Sequence, residues 1–236
     1  MRILLLWAVM PCFIASILWA GEITGRVIYI GELPKLRSLI MDTDSVCAAS
    51  NQKAVLEESL IVDTDGNLAN VIVYLTGITF YGNPPTTPAI LDQKNCLYSP
   101  HVFAVMAGQR LDILNSDTTM HNVHAHPKIN KEFNRGMPKS RKKMSHIFPK
   151  PEDVFEITCD VHPWMKSYLR VFDHPYFAVT GTDGTFNISN VPDGTYEIVA
   201  WQEKFGNKRT LTQSISVKDG KSIANFSFER PKKKKK

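Results

Sequence analysis

Three residues near the middle of the chain have the side chains and the spacing of metal ligands. Cys159, His162 and Met165 follow one another at intervals of three within residues 158–171. A thiolate and an imidazole are strong ligands, a thioether is a weak one, and copper is the metal that uses all three. Copper held by two histidines, one cysteine and a distant methionine transfers single electrons. The set needs one more histidine, and we predict that His121 supplies it.

Two β-segments must position these ligands. Residues 154–159 alternate with a period of two, which places Cys159 on the same inward face as Phe155. Residues 101–115 predict two short strands around a glycine, followed by a polar loop that ends at His121. The sequence therefore predicts that two strand ends, far apart in the chain, meet at one site.

The rest of the chain also has β-patterning. Residues 22–30 are rich in β-branched side chains, and residues 56–75 predict a hairpin around an Asp-Gly turn. One short helix fits within residues 44–59, and residues 133–151 are basic, marked by prolines and predicted to be a loop. No longer stretch has a helical period. The predicted fold class is all-β.

The charge balance argues against a general nucleic-acid-binding role. The 236 residues include 28 Lys and Arg and 23 Asp and Glu, a formal net charge of +5. Residues 232–236 are five consecutive lysines, and without them the balance is 23 to 23. The folded part is thus neutral. We predict that the lysine tail, residues 231–236, is disordered, and it could hold the chain at an anionic membrane or wall by about 1 kcal/mol per charge.

The N-terminus and the cysteines indicate export. Residues 1–20 are almost wholly apolar after one arginine and predict a signal peptide, with an uncleaved anchor as the alternative. We therefore predict a periplasmic or otherwise exported protein. Three cysteines then remain in an oxidising compartment. Cys47 and Cys96 are the predicted disulfide, with Cys159 kept as a metal-bound thiolate; three inert buried thiols are the alternative.

Residues 89–172 resemble the cupredoxins, the small blue copper proteins, and amicyanin most closely. The likeness is carried by Y-S-P at 98–100, Gly108 before an apolar strand, N-S-D at 115–117, M-H-N-V-H at 120–124 and C-D-V-H-P-W-M at 159–165. The resemblance implies a Greek-key β-sandwich with one copper ion that cycles between Cu(I) and Cu(II). It also implies that the ligands are His121, Cys159, His162 and Met165.

The resemblance gives the neighbouring residues supporting roles. Asn122 would tie the two ligand segments together by hydrogen bonds, and Pro163 and Trp164 would cover the exposed edge of the metal, where an electron leaves through His162. Two other interpretations of the ligand loop are a zinc site and an ordinary turn in a β-core.

Two further histidines lie close to the first ligand. Alternation from His121 places His124 and His126 on the opposite face. We expect them at the surface, and a peripheral second copper site is the alternative.

Residues 177–201 differ from the copper-site stretch and resemble the transthyretin-like module known as the carboxypeptidase regulatory-like domain. Residues 25–27 and 70–74 resemble other strands of that module. Neither end of the chain has enough strands for a closed sandwich by itself. We therefore predict that a copper domain of residues 88–173 is inserted into a second small β-sandwich built from residues 22–87 and 174–230.

Two classes of function compete at this stage. The first is a carrier, not an enzyme, that passes single electrons between exported redox proteins, with a basic loop at 135–143 docking an acidic partner. The second is a surface or assembly scaffold with a structural or storage copper. A copper enzyme would need a second copper with open coordination, and the sequence shows no complete ligand set for one.

Overall fold

The computed structural model describes residues 21–33, 35–218 and 220–229. The predicted signal peptide and lysine tail lie outside these residues. Apart from one short helix α1 (Ser45–Ser50) and one 3-10 turn (Asn207–Arg209), the regular structure described is β, which confirms the predicted fold class. In chain order the strands are β1 (Gly21–Ile30), β2 (Ile72–Thr76), β3 (Ala89–Lys94), β4 (Leu97–Ser99), β5 (Val102–Met106), β6 (Arg110–Asn115), β7 (His121–Ala125), β8 (Phe133–Met137), β9 (Lys143–Ile147), β10 (Glu152–Thr158), β11 (Lys166–Phe172), β12 (Phe177–Val179), β13 (Thr185–Val191), β14 (Gly194–Trp201), β15 (Leu211–Val217), β16 (Lys221–Ile223) and β17 (Phe226–Glu229).

The strands from the two ends of the chain form one pair of sheets. In the first sheet β1 lies between β13 and β16 and also pairs with β17, and the second sheet has the order β12-β2-β14-β15. Buried side chains alternate with half-buried or exposed ones over much of strand β1, so that Ile23 and Val27 enter a core shared with Val73, Ile198 and Phe226. Burial of this apolar surface is what joins the two chain ends.

The strands between residues 89 and 172 form a second pair of sheets. Their orders are β5-β11-β10-β7-β8 and β4-β3-β6-β9. Leu91, Ile113, Val123, Ile157 and Leu169 are fully buried between them. The boundaries at 88 and 173, and the insertion of one domain into the other, stay a prediction.

A third apolar cluster joins the two pairs of sheets. Tyr74 on β2 and Trp201 on β14 pack in one buried cluster with Val102 on β5 and Phe172 on β11. The guanidinium of Arg170 lies 4.1 Å from the centre of the Tyr74 ring and 4.9 Å from that of Phe172. These contacts continue the hydrophobic core from one pair of sheets to the other.

The predicted loop at 133–151 is wrong in part, because it contains strands β8 and β9. Each is an end strand of its sheet, with most of its side chains exposed or half-buried. Edge strands tolerate charged residues on their open side, so the basic composition that indicated a loop is equally compatible with an edge.

Among the residues described, no helix has the length and apolarity that a membrane span requires.

Candidate metal centre

A tight loop between two paired strands holds three of the predicted ligands. Strands β10 and β11 are antiparallel neighbours and pair Thr158 with Lys166, so residues 159–165 connect them. The Cys159 N–H donates to the Met165 carbonyl at 3.3 Å, and the Met165 N–H donates to the His162 carbonyl at 2.9 Å. Both backbone hydrogen bonds fix the loop in one conformation.

His121 reaches the same place from the neighbouring strand. Strand β7 begins at His121 and pairs with the end of β10, where His124 lies opposite Thr158. The chain segments that carry Cys159 and His121 are therefore adjacent in one sheet although 38 positions separate them. Alternation along β7 turns the His121 side chain inward, and it is fully buried.

Three donor atoms converge at this point. His121 Nδ1 lies 2.9 Å from His162 Nδ1, and Cys159 Sγ lies 3.8 Å from His162 Nδ1. One donor atom from each of the three side chains lies within 4.8 Å of the other two. Metal–nitrogen bonds of about 2.0–2.1 Å and metal–sulfur bonds of about 2.3 Å allow donor separations of this size around one ion. The donor set fits a single metal ion.

Met165 lies at the far end of the same loop. It is fully buried and packs in the same apolar cluster as Cys159. Its backbone closes the loop at Cys159 and at His162. Its role as the weak fourth ligand stays a prediction.

Asn122 connects the two ligand segments. Its side-chain Oδ1 accepts the N–H of Asp160 at 2.7 Å and that of Val161 at 3.3 Å, and it lies 3.3 Å from Cys159 Sγ. Its Nδ2 donates to Asn134 Oδ1 at 2.7 Å. One buried amide thus fixes the start of the Cys159 loop to strand β7.

A carboxylate lies behind each imidazole. His121 Nε2 is 2.8 Å from Asp117 Oδ2, and His162 Nε2 is 3.2 Å from Asp44 Oδ2. A carboxylate at Nε2 accepts a hydrogen bond from the N–H there, which orients the ring and leaves Nδ1 on the side of Cys159. Asp117 is present in the sequence analysis only as part of a motif, and no sequence signal points to Asp44, which lies 118 positions from His162.

The environment shifts the pKa values of the three donors in different directions, towards the metal-binding form for Cys159 and His162 and towards the protonated form for His121. Burial raises the pKa of Cys159, but the His121 imidazole and the backbone N–H groups of Asn122, Val161 and His162 outweigh it and lower that pKa. Burial lowers the pKa of His121, but Asp117 and the Cys159 thiolate raise it to about 9. Burial, together with the charge of His121, lowers the pKa of His162 although Asp44 opposes the shift. A metal ion that binds here would therefore have to displace a proton from His121.

A segment from the N-terminal part of the chain covers His162. Residues 41–51, which we call the cap segment, contain helix α1, and Cys47 Sγ lies 3.6 Å from His162 Nε2. Met41 and Cys47 belong to the apolar cluster of the second pair of sheets. The predicted disulfide between Cys47 and Cys96 is confirmed, with a Cα–Cα distance of 5.5 Å. It anchors the cap segment beside the loop that follows β3.

The resemblance implies that an electron leaves through an exposed edge at His162. In the structure, however, His162 is covered. Only 1% of the His162 surface is exposed, because the cap segment lies against Nε2. The Trp164 ring lies 5.0 Å from the His162 ring, and its Nε1 donates to the Cys96 carbonyl at 2.9 Å. Pro163 is exposed. Trp164 and the cap segment, rather than Pro163, enclose this imidazole.

Three other groups of potential ligands occur among the described residues. One combines Asp44, Cys47 and His162, and another combines Cys96, Asp117 and His121. Neither offers a free thiolate, because both cysteines are in the disulfide. The last group, His124, His126 and Glu132, lies outside the buried site.

Comparison with protein families gives one match, which covers less than half of the chain. The model for polysaccharide lyase family 4, domain II, matches residues 158–225. That range runs from the end of β10 through β16, so it crosses from one pair of sheets to the other. No curated protein matches the chain in sequence.

The similar solved structures are cupredoxins and a copper enzyme. The copper-containing nitrite reductase from Thermus scotoductus SA-01 is 17% identical, with a TM-score of 0.35 over 42% of this chain and 25% of that one. A purple cupredoxin from Nitrosopumilus maritimus is 21% identical, with a TM-score of 0.30 over 35% of this chain and 98% of that one. Amicyanin from Paracoccus versutus is 19% identical, with a TM-score of 0.32 over 42% of this chain and 96% of that one. The chain thus spans about a quarter of the length of the nitrite reductase. At these TM-scores the structural similarity supports no conclusion about function. Any such conclusion has to come from the donor atoms of the site.

Proposed function

We propose that this protein is an exported type 1 (blue) copper protein that transfers single electrons between redox partners. The observation that carries the proposal is the convergence of Cys159 Sγ with the Nδ1 atoms of His121 and His162 in a buried site. One thiolate and two imidazoles are the strong ligands of such centres, and Met165 is the candidate for the weak axial position.

The chain's own residues would keep the ligand geometry constant. Copper would supply one-electron chemistry by alternating between Cu(I) and Cu(II). These two states prefer different coordination geometries, so a site that cannot rearrange has a small cost of reorganisation. Asp117 and Asp44 orient the rings, Asn122 fixes the cysteine loop, and burial of all three donors excludes water.

Zinc is the competing metal for the same pocket. It favours sets richer in thiolates or with a hard oxygen ligand, and it has little affinity for a thioether. A zinc site would be colourless and redox-silent, so an optical experiment separates the two proposals.

The test is titration of the purified full chain with Cu(II), followed in the visible spectrum. We expect an intense blue thiolate-to-copper charge-transfer band that saturates at one equivalent. Cys159→Ser should lose the band completely, since no thiolate remains at the site. His146 belongs to none of the four groups of potential ligands in the part of the chain that the structure describes. His146→Gln is therefore the matched control and should keep the band. A wild-type chain that binds Cu(II) without this band would contradict the proposal.

Export and the redox partner are part of the same proposal. A disulfide within the folded part supports an oxidising compartment. Lys139 and Arg141 are exposed in the turn between β8 and β9, and the adjacent Lys142 Nζ donates to the backbone carbonyl of Asp117 at 2.7 Å. A partner with an acidic surface would dock there, and its rate of electron exchange should fall steeply with ionic strength.

One observation favours the second candidate, a scaffold protein with a structural or storage copper. His162 is covered by the cap segment and offers no exposed edge to a partner. Stopped-flow oxidation of the Cu(I) protein by hexacyanoferrate(III) distinguishes the candidates. Rapid exchange supports a carrier, while exchange slower than copper release supports storage.

A further inference from the structure

A second cluster of metal-binding side chains lies on the outer face of strand β7. His124 and His126 point away from the buried site, on the face opposite His121. Glu132, from the connection to β8, meets both of them: its Oε1 lies 2.8 Å from His124 Nε2 and 3.7 Å from His126 Nδ1. The three donor atoms lie within 4.8 Å of one another.

Each imidazole is held by a hydrogen bond at the nitrogen that faces away from Glu132. His124 Nδ1 lies 3.1 Å from Asp160 Oδ1, and His126 Nε2 lies 2.8 Å from Thr158 Oγ1. As the side chains stand, His124 Nε2 donates to Glu132 Oε1. An ion bound between the rings would replace that proton and use His124 Nε2 and His126 Nδ1 as ligands, while the outer nitrogens keep theirs. Metal-binding histidines have this arrangement, in which a second partner fixes both the tautomer and the ring orientation.

The cluster is open to solvent. Glu132 is exposed, and the side chains of His124 and His126 are 22% and 37% exposed. Water or a small anion could therefore complete the coordination of an ion. Two imidazoles and one carboxylate form a set that suits borderline divalent transition metals rather than Mg²⁺ or Ca²⁺.

We propose that His124, His126 and Glu132 form a second, solvent-accessible metal site, which takes a divalent transition-metal ion and binds Cu(II) more tightly than Zn(II). The preference follows from the general order of affinities for nitrogen and oxygen ligands. Asp160 follows Cys159 in the chain, so the hydrogen bond between His124 and Asp160 connects this site to the loop of the buried site. The proposal does not require that the buried site hold copper.

The experiment isolates the surface site by disabling the buried one. The full chain with Cys159→Ser and His121→Gln is titrated with Cu(II), followed by calorimetry and electron paramagnetic resonance. We expect one equivalent to bind with the axial spectrum and large hyperfine splitting of a tetragonal copper, without a blue band. Zn(II) should bind at the same stoichiometry but at least tenfold more weakly. Tighter binding of Zn(II) than of Cu(II) would overturn the metal preference.

Further substitutions in the same background locate the ion. His124→Ala with His126→Ala should abolish the bound equivalent, and Asp160→Ala should weaken it about 10- to 100-fold, as expected for loss of an orienting partner. Glu132→Gln should weaken binding, while Glu32→Gln, at an exposed carboxylate elsewhere, is the matched control and should not. Circular dichroism verifies that each variant is folded. If the background chain binds no equivalent, or binds it unchanged after the double histidine substitution, the proposed site does not exist.

Discussion

At the scale of single residues, Asp117 is the group that determines how His121 is held. Its carboxylate accepts the backbone N–H groups of Asn95 at 2.7 Å and Cys96 at 2.8 Å, and it also meets His121 Nε2 at 2.8 Å. Two backbone donors keep the carboxylate in place, so the imidazole has a fixed partner. Asp117 thus connects the turn at the disulfide residue Cys96 to the candidate ligand His121 by hydrogen bonds.

We predict that Asp117→Asn weakens copper binding while the blue band remains. The substitution keeps the volume of the side chain but removes the charge that orients and polarises the ring, for which a 10- to 100-fold loss of affinity is typical. Competition with a Cu(I) chelator of known affinity measures the change. Asp112→Asn is the control, since Asp112 is a buried carboxylate that contacts Ser145 and Lys143 rather than a candidate ligand. Equal affinities for the two variants would contradict a role for Asp117 in orienting His121.

Residue types and spacing were sufficient to propose the donors of the buried site, but not the groups behind them. Cys159, His162 and His121 could be predicted because thiols and imidazoles at such intervals are chemically unusual. Asp117 and Asp44 could not, because aspartates are common and hydrogen-bond partners depend on tertiary structure. For the same reason, the sequence does not decide whether His124 and His126 bind a metal. Glu132 comes close to them only when β7 and its connection to β8 are folded.

At the scale of elements, the cap segment covers His162. Helix α1 has six residues, too few to be stable alone, so its fold depends on its attachments. Asp44 is its N-cap and accepts the N–H groups of Val46 at 2.7 Å and Cys47 at 3.1 Å. The same carboxylate contacts His162 and accepts the Thr119 hydroxyl at 2.8 Å. One side chain therefore begins the helix and holds it over the imidazole.

We predict that Asp44→Ala destabilises the cap segment and speeds electron exchange. Loss of an N-cap costs about 0.5–2 kcal/mol, and the His162 edge would become accessible. The unfolding midpoint in urea should fall, and the oxidation of the Cu(I) protein by hexacyanoferrate(III) should accelerate several-fold. Asp42→Ala is the control because it makes the same charge change at an exposed position outside the helix. Destabilisation without faster exchange would show that the cap segment does not limit access.

The strands were predictable where one face is buried and less so at sheet edges. The strand that ends before Cys159 and the pair around Gly108 follow from regular alternation and a turn residue. Strands β8 and β9 were missed because edge positions do not need that alternation. The short helix was expected, but its position over His162 was not, since no local pattern encodes a contact between segments so far apart.

At the scale of the whole molecule, a buried pair joins the two pairs of sheets. His101 precedes β5, and its Nε2 meets the carboxylate of Glu203, which follows β14. Its Nδ1 lies 3.1 Å from the Lys166 carbonyl and 3.8 Å from Glu58 Oε2. The side chains of His101 and Glu203 are only 9% and 12% exposed. Solvent screening is therefore weak, and the pair adds a polar attachment to the apolar cluster around Phe172.

We predict that this pair makes stability depend on pH. Burial lowers the pKa of His101, but Glu203 and Glu58 outweigh it and raise that pKa above its ordinary value. The stabilisation is therefore fully present below the unfolded-state pKa of about 6.5 and is lost as pH rises through the raised folded-state pKa. In a Cys159→Ser background, which removes the titrating thiol, His101→Gln should lower the free energy of unfolding by about 1.5–3 kcal/mol at pH about 6, and by progressively less towards pH about 9.

Urea unfolding at a series of pH values measures this difference. His174→Gln is the control, since burial lowers the pKa of His174 and its effect should not decline over the same range. A His101 effect that stays constant from acidic to alkaline pH would mean that the charge of the imidazole does not contribute to stability.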